Sequence, residues 1–306
     1  MTVLHQRATR ARQLGRGPGA GFLRKKTAAR SVKRKRQASP ASLALSWMGR
    51  LGYAARGAIY LMVGVSAGLT TIDPAHRPGG FTQSLALLQH GWAGGIALVL
   101  LAFGMACFAG WLAAAAVRRR DHPGRAHWVL VAGLLGDAAI YIAFMASVLG
   151  LVFGARSGGQ DELQSWIAWL IGDAFGAALV ALAGIVVCVC GAWLIGWGAV
   201  GDIEGPLELP LAEKQLVLPI GRYGTGGRGA AIALVGGYLI VSAIHGDPRQ
   251  AHELGGVLKE MRSLPYGAAI TGAFALAFIG SSILDFVVAA FRRFDTGNPA
   301  RRPAAR

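Results

Sequence analysis

Six apolar runs, near 53–72, 92–117, 128–153, 173–200, 228–245 and 267–291, constrain this chain more than any other feature. Runs of about twenty apolar residues span the hydrocarbon core of a bilayer as α-helices, because a helix satisfies its own backbone polar groups there. The fifth run is short on a strict count and needs flanking residues to span. Between the runs lie segments such as "RRRDHPGR" and "GDIEGPLELPLAEK", whose prolines, glycines and charges suit water-exposed loops. Only 15% of the residues are charged, against about a quarter in soluble chains.

Charge then gives direction. With both termini inside, 26 Lys/Arg fall on the cytoplasmic side and 5 outside: Arg77, Arg156, Arg249, Lys259 and Arg262. That asymmetry satisfies the positive-inside rule. Residues 1–45 hold twelve Lys/Arg and no acid, so they read as a disordered tail that meets anionic lipid; nucleic acid is the less favoured partner. No apolar core follows the basic run at signal-peptide distance.

The spans are not independent. An ungapped shift of 81 residues pairs "RGAIY" (56–60) with "DAAIY" (137–141) and "WAGGIALVLLA" (92–102) with "DAFGAALVALA" (173–183). It also superposes Gln83 on Gln164 and Cys107 on Cys188. A shift of 172 pairs "GRLGYAARGA" (49–58) with "GRYGTGGRGA" (221–230), and the helix that follows needs a small gap. The chain therefore reads as three tandem two-helix repeats. The expected fold is all-α: a polytopic membrane protein of six transmembrane helices, arranged as three tandem helical hairpins with pseudo-threefold symmetry about the membrane normal. The expected segments are a tail at 1–45, repeats at 46–120, 121–202 and 221–295, a cytoplasmic linker at 203–220 and a basic tail at 296–306.

The residues "GRLGYAARGAIYLMVG" (49–64), "GRYGTGGRGAAIALVGGYLI" (221–240) and "GDPRQAHELGGVLKEMRSLPYG" (246–267) resemble the bacterial membrane proteins grouped as domain of unknown function 1206. The resemblance covers about 46–295 and is weakest in the second repeat. It implies a six-helix protein of the bacterial inner membrane and carries no activity or functional residue with it.

The repeats place three ionisable residues at one position: Arg56, Asp137 and Arg228. Ionisable groups inside spans are costly and tend to pair or line a cavity. Two readings stand beside each other. The arginines, a turn or two inside the boundary, can snorkel to phosphates; alternatively the three side chains meet as an Arg–Asp–Arg cluster with Asp137 paired to one arginine. Asp285 is a second candidate, with Arg292 or Arg293 as its local partner. Asp173 is expected to cap the fourth span. For helix packing the sequence offers Gly64 with Gly68, Gly91 with Gly95 and Gly172 with Gly176, the last two pairs being repeat equivalents.

The run "GRYGTGGRG" lacks the Lys-Ser/Thr of a phosphate loop and reads as a flexible beginning to the fifth span. Cys107, Cys188 and Cys190 lie in apolar runs and read as small hydrophobes. Neither a metal site nor a cofactor is expected, and no catalytic residue stands out. The leading expectation is a non-enzymatic structural, assembly or lipid-interacting membrane component. The competing one is a channel or transporter for a small solute or ion that uses the charge cluster. A protein partner is not identified by the sequence.

Overall fold

The computed structural model describes residues 40–73, 81–86, 91–119, 125–154, 159–201 and 211–292. Two units are distinguished: 46–295, and 1–45 with 296–306, of which only 40–45 are described, as the first turns of a helix. The expected disorder of the N-terminal tail thus falls outside the described residues except at 40–45, which are helical.

Six long helices form the body: α1 (Pro40–Ile72), α3 (Trp92–Arg119), α4 (Arg125–Val152), α6 (Ala174–Val200), α7 (Leu211–His245) and α9 (Gly267–Phe291). Each is long and apolar enough to cross a membrane. Short helices α2 (Phe81–Ala86), α5 (Gly159–Ile171) and α8 (Leu254–Ser263) connect the two long helices of each hairpin. All three sit at one end of the bundle, here called the far end. At the near end α1, α4 and α7 begin and α3, α6 and α9 finish. Exposed Trp47, Trp128, Trp193 and Trp197 ring the near end, and exposed Trp92, Trp166, Trp169 and Tyr266 the far end. Such belts mark the two membrane–water interfaces. Phe175 and Trp197 on α6 are about 33 Å apart at 1.5 Å per residue, close to the thickness of a hydrocarbon core. The chain is a multi-pass membrane protein.

The fifth span differs from the expectation. α7 runs unbroken from Leu211, with Pro219 inside it, so "GRYGTGGRG" and the second half of the expected linker are regular helix. Its glycines are contact surfaces rather than hinges. A Cβ at Gly224 would meet the backbone of Gly280 and Ser281, and one at Gly227 the Ala277 side chain on α9. Neighbouring helices that press this closely compensate the poor helix propensity of glycine. α7 ends at Gly246, whose φ of 63° suits glycine, and Asp247 N–H donates to the Ser242 carbonyl at 3.1 Å.

The repeats are visible as contacts. In the first hairpin Ala55 of α1 packs on Gly104 of α3; in the third, Gly227 of α7 packs on Ala277 of α9. The same small–small contact recurs with glycine and alanine exchanged between the helices. Gly52 against Phe108 and Gly224 against Ser281 are a second equivalent pair.

The second hairpin does not close this way. Its equivalents, Gly133 and Gly136 on α4, meet nothing within 4 Å. Their would-be partners on α6, Val189 and Ile185, are 62% and 49% exposed. Among the described residues α4 packs chiefly on α3 and α6 on α7, with no comparable packing between α4 and α6. The contact a threefold arrangement requires within the second repeat is therefore missing, and a seam runs between α4 and α6. α6 is held instead by glycines facing α7: Gly184 against Gly236, Gly191 against Gly229 and Gly198 against Gly226. The seven-residue steps of glycine along α6 bring the two backbones together.

The packing glycines of the sequence fall unevenly. Gly64 meets Ala275 and Ile279 of α9, and Gly68 meets Ala275. Gly91 and Gly95 meet nothing within 4 Å, and Gly176 presses on the end of α5 at Leu170. Gly172 has only the Trp169 carbonyl nearby, at 3.6 Å. The expected recurrent helix contact is absent for a local reason. Gly91, at φ 88°, and Gly172 lie in the turns that precede α3 and α6, so each apparent motif begins outside its helix.

A candidate polar site inside the membrane

α1 and α9 pack through Gly57, where a Cβ would lie 3.3 Å from that of Asp285. This close approach puts the Asp285 carboxylate beside Arg56, and the two form a bidentate ion pair. Arg56 Nε donates to Oδ2 at 2.8 Å and Nη2 to Oδ1. The side chains are 17% and 3% exposed. The guanidinium also lies over the rings of Tyr53 at 4.7 Å and Phe108 at 5.0 Å. Arg56 neither snorkels nor pairs with Asp137. The expected local partner of Asp285 is elsewhere: Arg292 donates from Nη1 to the Tyr53 hydroxyl at 2.8 Å, and Arg293 lies outside the described residues.

Arg56, Asp137 and Arg228 do converge, without closing into one bonded cluster. Asp137 lies within electrostatic reach of both arginines, yet it makes no hydrogen bond or ion pair among the described residues. It is exposed, so the space before it is open; that space belongs to the seam. Arg228 stacks over the Tyr60 ring at 5.0 Å. Its Nε is buried and meets no acceptor among the described residues, as is also true of Arg222 Nε. A buried donor left unbonded costs the desolvation of that group.

Two residues absent from the sequence-level candidates complete the site. The hydroxyls of Tyr60 and Tyr141 interact, and Tyr141 packs edge-on against Phe108 at 4.7 Å. They are repeat equivalents, both ending the motif that carries Arg56 and Asp137. Attention to polar as well as charged residues in that aligned pair would have found them.

The level of the site follows from packing. Gly229 presses on Gly191, Leu194 and Ile195 of α6, so Arg228 is level with Trp193 and about 5 Å below Trp197. The far end is filled instead: Leu85 of α2 and Val257 and Leu258 of α8 are buried. Asp173 takes the N-cap position of α6 but makes no side-chain cap bond. A shallow recess of about 370 Å³ beside Glu162, Ser165, Trp166 and Trp169 belongs to the surface of α5, remote from this site.

The family model described as Domain of Unknown Function (DUF1206) matches residues 51–119 and 223–292, the first and third hairpins. The second hairpin, whose seam is open, is the unmatched one. A protein of Bacillus subtilis (strain 168) described as "Uncharacterized protein YxxB" is 27% identical over 238 residues, covering 76% of this chain and 85% of that protein. No solved structure matches. The chain thus resembles the DUF1206 family in its first and third hairpins.

Proposed function

We propose that this is a non-enzymatic, lipid-interacting component of the bacterial inner membrane, with its near end cytoplasmic, that admits lipid sideways between α4 and α6. The observation that carries this reading is the open seam. Gly133 and Gly136 line one wall with no neighbour, while exposed Ile185 and Val189 stand on the other. Both walls are apolar, and the seam leads from the bilayer to a polar site that the filled far end separates from the opposite surface. A route open to lipid and filled toward the far surface favours a lipid over a solute carried across. The basic near-end segments, such as "RRRDHPGR", attract anionic lipid to the same side.

The test is lipid retention. Native mass spectrometry of the protein released from membranes is expected to find phospholipid retained through mild detergent exchange. Gly133→Trp, one turn from Asp137 on the same helix face, fills the seam and is expected to remove it. Equal retention by this variant, with folding intact, sinks the reading. The competing role, a channel or transporter, draws on the exposure of Asp137 within a span; solute or ion flux in proteoliposomes that Asp137→Asn abolishes would establish it instead.

A further inference from the structure

The charges at the seam specify more than a lipid. Of the four acidic and basic side chains in the site, Arg56 and Asp285 are matched to one another by two hydrogen bonds. Their charges cancel at contact distance, and neither needs a ligand. Asp137 and Arg228 are left. They carry opposite charges within electrostatic reach, but neither bonds the other or any other ionised group among the described residues. An exposed carboxylate and a guanidinium within its electrostatic reach, with no bond between them, form a separated pair. Its complement is a molecule that carries a cation and an anion a few bonds apart.

We propose that the seam binds a zwitterionic phospholipid whose headgroup bears a primary ammonium, with the phosphate on Arg228 and the ammonium on Asp137. The proposal rests on the lateral opening described above and names the lipid class that uses it. Three observations support it. The buried Arg228 Nε–H has no acceptor among the described residues, and a phosphate oxygen is a strong one. The Arg228 guanidinium is held on the Tyr60 ring, and Tyr60 is fixed by Tyr141, so the donor is ordered before the ligand arrives. The level also fits: Arg228 lies about one turn below Trp197, within reach of a headgroup drawn slightly inward while its acyl chains lie along α4 and α6. An anionic lipid would satisfy Arg228 alone and set its charge against Asp137. A quaternary ammonium would reach Asp137 without an N–H to donate.

The test uses the full chain in nanodiscs with equal parts of phosphatidylethanolamine, phosphatidylcholine and phosphatidylglycerol, and native mass spectrometry identifies the retained lipid. Phosphatidylethanolamine is expected to be enriched roughly tenfold over either competitor, the worth of one charge-assisted hydrogen bond. Asp137→Asn is expected to erase the preference over phosphatidylglycerol while lipid is still bound. Arg228→Gln is expected to weaken retention of every phospholipid, with Arg228→Lys restoring part of it. Lipid retained by the wild type without headgroup preference overturns this assignment and leaves the lateral opening standing. No retained lipid of any class overturns both. Because the preference is read on the wild type, a variant that fails to fold does not shield the proposal.

Discussion

Removing the Asp285 carboxylate tests the centre of the structure most directly. Asp285 is 3% exposed and takes two hydrogen bonds from Arg56, whose side chain is 17% exposed. Asp285→Asn keeps the shape but loses the charge, and it leaves the guanidinium with one neutral acceptor. Breaking a buried ion pair by removing one partner costs about 3–5 kcal/mol in water-soluble proteins. In a membrane the unfolded reference state also finds partners for its polar groups, which lowers such values, while the Tyr53 and Phe108 rings still hold the cation. The expected loss is about 2–3 kcal/mol. Replacing both members, as Arg56→Met with Asp285→Leu, removes the charge and its partner together and is expected to cost less than either single change. The assay is reversible unfolding in bicelles by steric trapping, read as a double-mutant cycle. A coupling energy near 2 kcal/mol is expected for Arg56 with Asp285, and less than about 0.5 kcal/mol for Arg56 with Asp137, which do not touch. If Asp285 proves additive with Arg56 and Asp137 proves coupled, the pairing drawn from this structure is wrong.

Glycine substitutions should separate closed from open contacts. Gly227→Val drives a side chain into Ala277 and is expected to cost about 1–3 kcal/mol, whereas Gly136→Ala, with nothing within 4 Å, is expected to gain about 0.5–1 kcal/mol from helix propensity in the same unfolding assay. In a background lacking Cys107, Cys188 and Cys190, the pair Ala55→Cys with Gly104→Cys should form a disulfide readily, while the repeat-equivalent Gly136→Cys with Ile185→Cys should not. Equal cross-linking on non-reducing gels would mean that the second hairpin closes and has no seam. Glu253, at the N-cap of α8 in a far-end connection, has its carboxyl pushed up by burial. An acid raised on folding is most compatible with the fold while protonated, so its effect is absent below its unfolded pKa and stability falls as pH rises through the window between the unfolded and folded values. Glu253→Gln is therefore expected to raise thermal stability at neutral pH and to change it little at low pH.

Much of this protein was legible in the sequence because lipid imposes a simple rule. A backbone in hydrocarbon must bond to itself, so apolar length alone gives six helices, and the repeat shift gives their grouping into hairpins. The two repeat shifts, of 81 and 172 residues, identified Arg56, Asp137 and Arg228 as equivalents and so indicated that they would approach one another. Periodicity stopped short at the ends of the helices: "GRYGTGGRG" looked weak as helix because helix propensity undervalues a glycine that another helix presses upon.

What tertiary structure decided is which acid met which base. Asp285 has no counterpart in the other repeats, so no internal alignment could assign it to Arg56; the approach of α1 and α9 at Gly57 did that. The pairing in turn left Asp137 and Arg228 unmatched. The open second hairpin was equally hidden, since Gly133 and Gly136 carry the same packing signature as their equivalents. A small residue makes a close contact available, but only the competition among neighbouring helices determines whether it forms. Here α3 holds α4 and α7 holds α6, and the contact between α4 and α6 is the one that gives way.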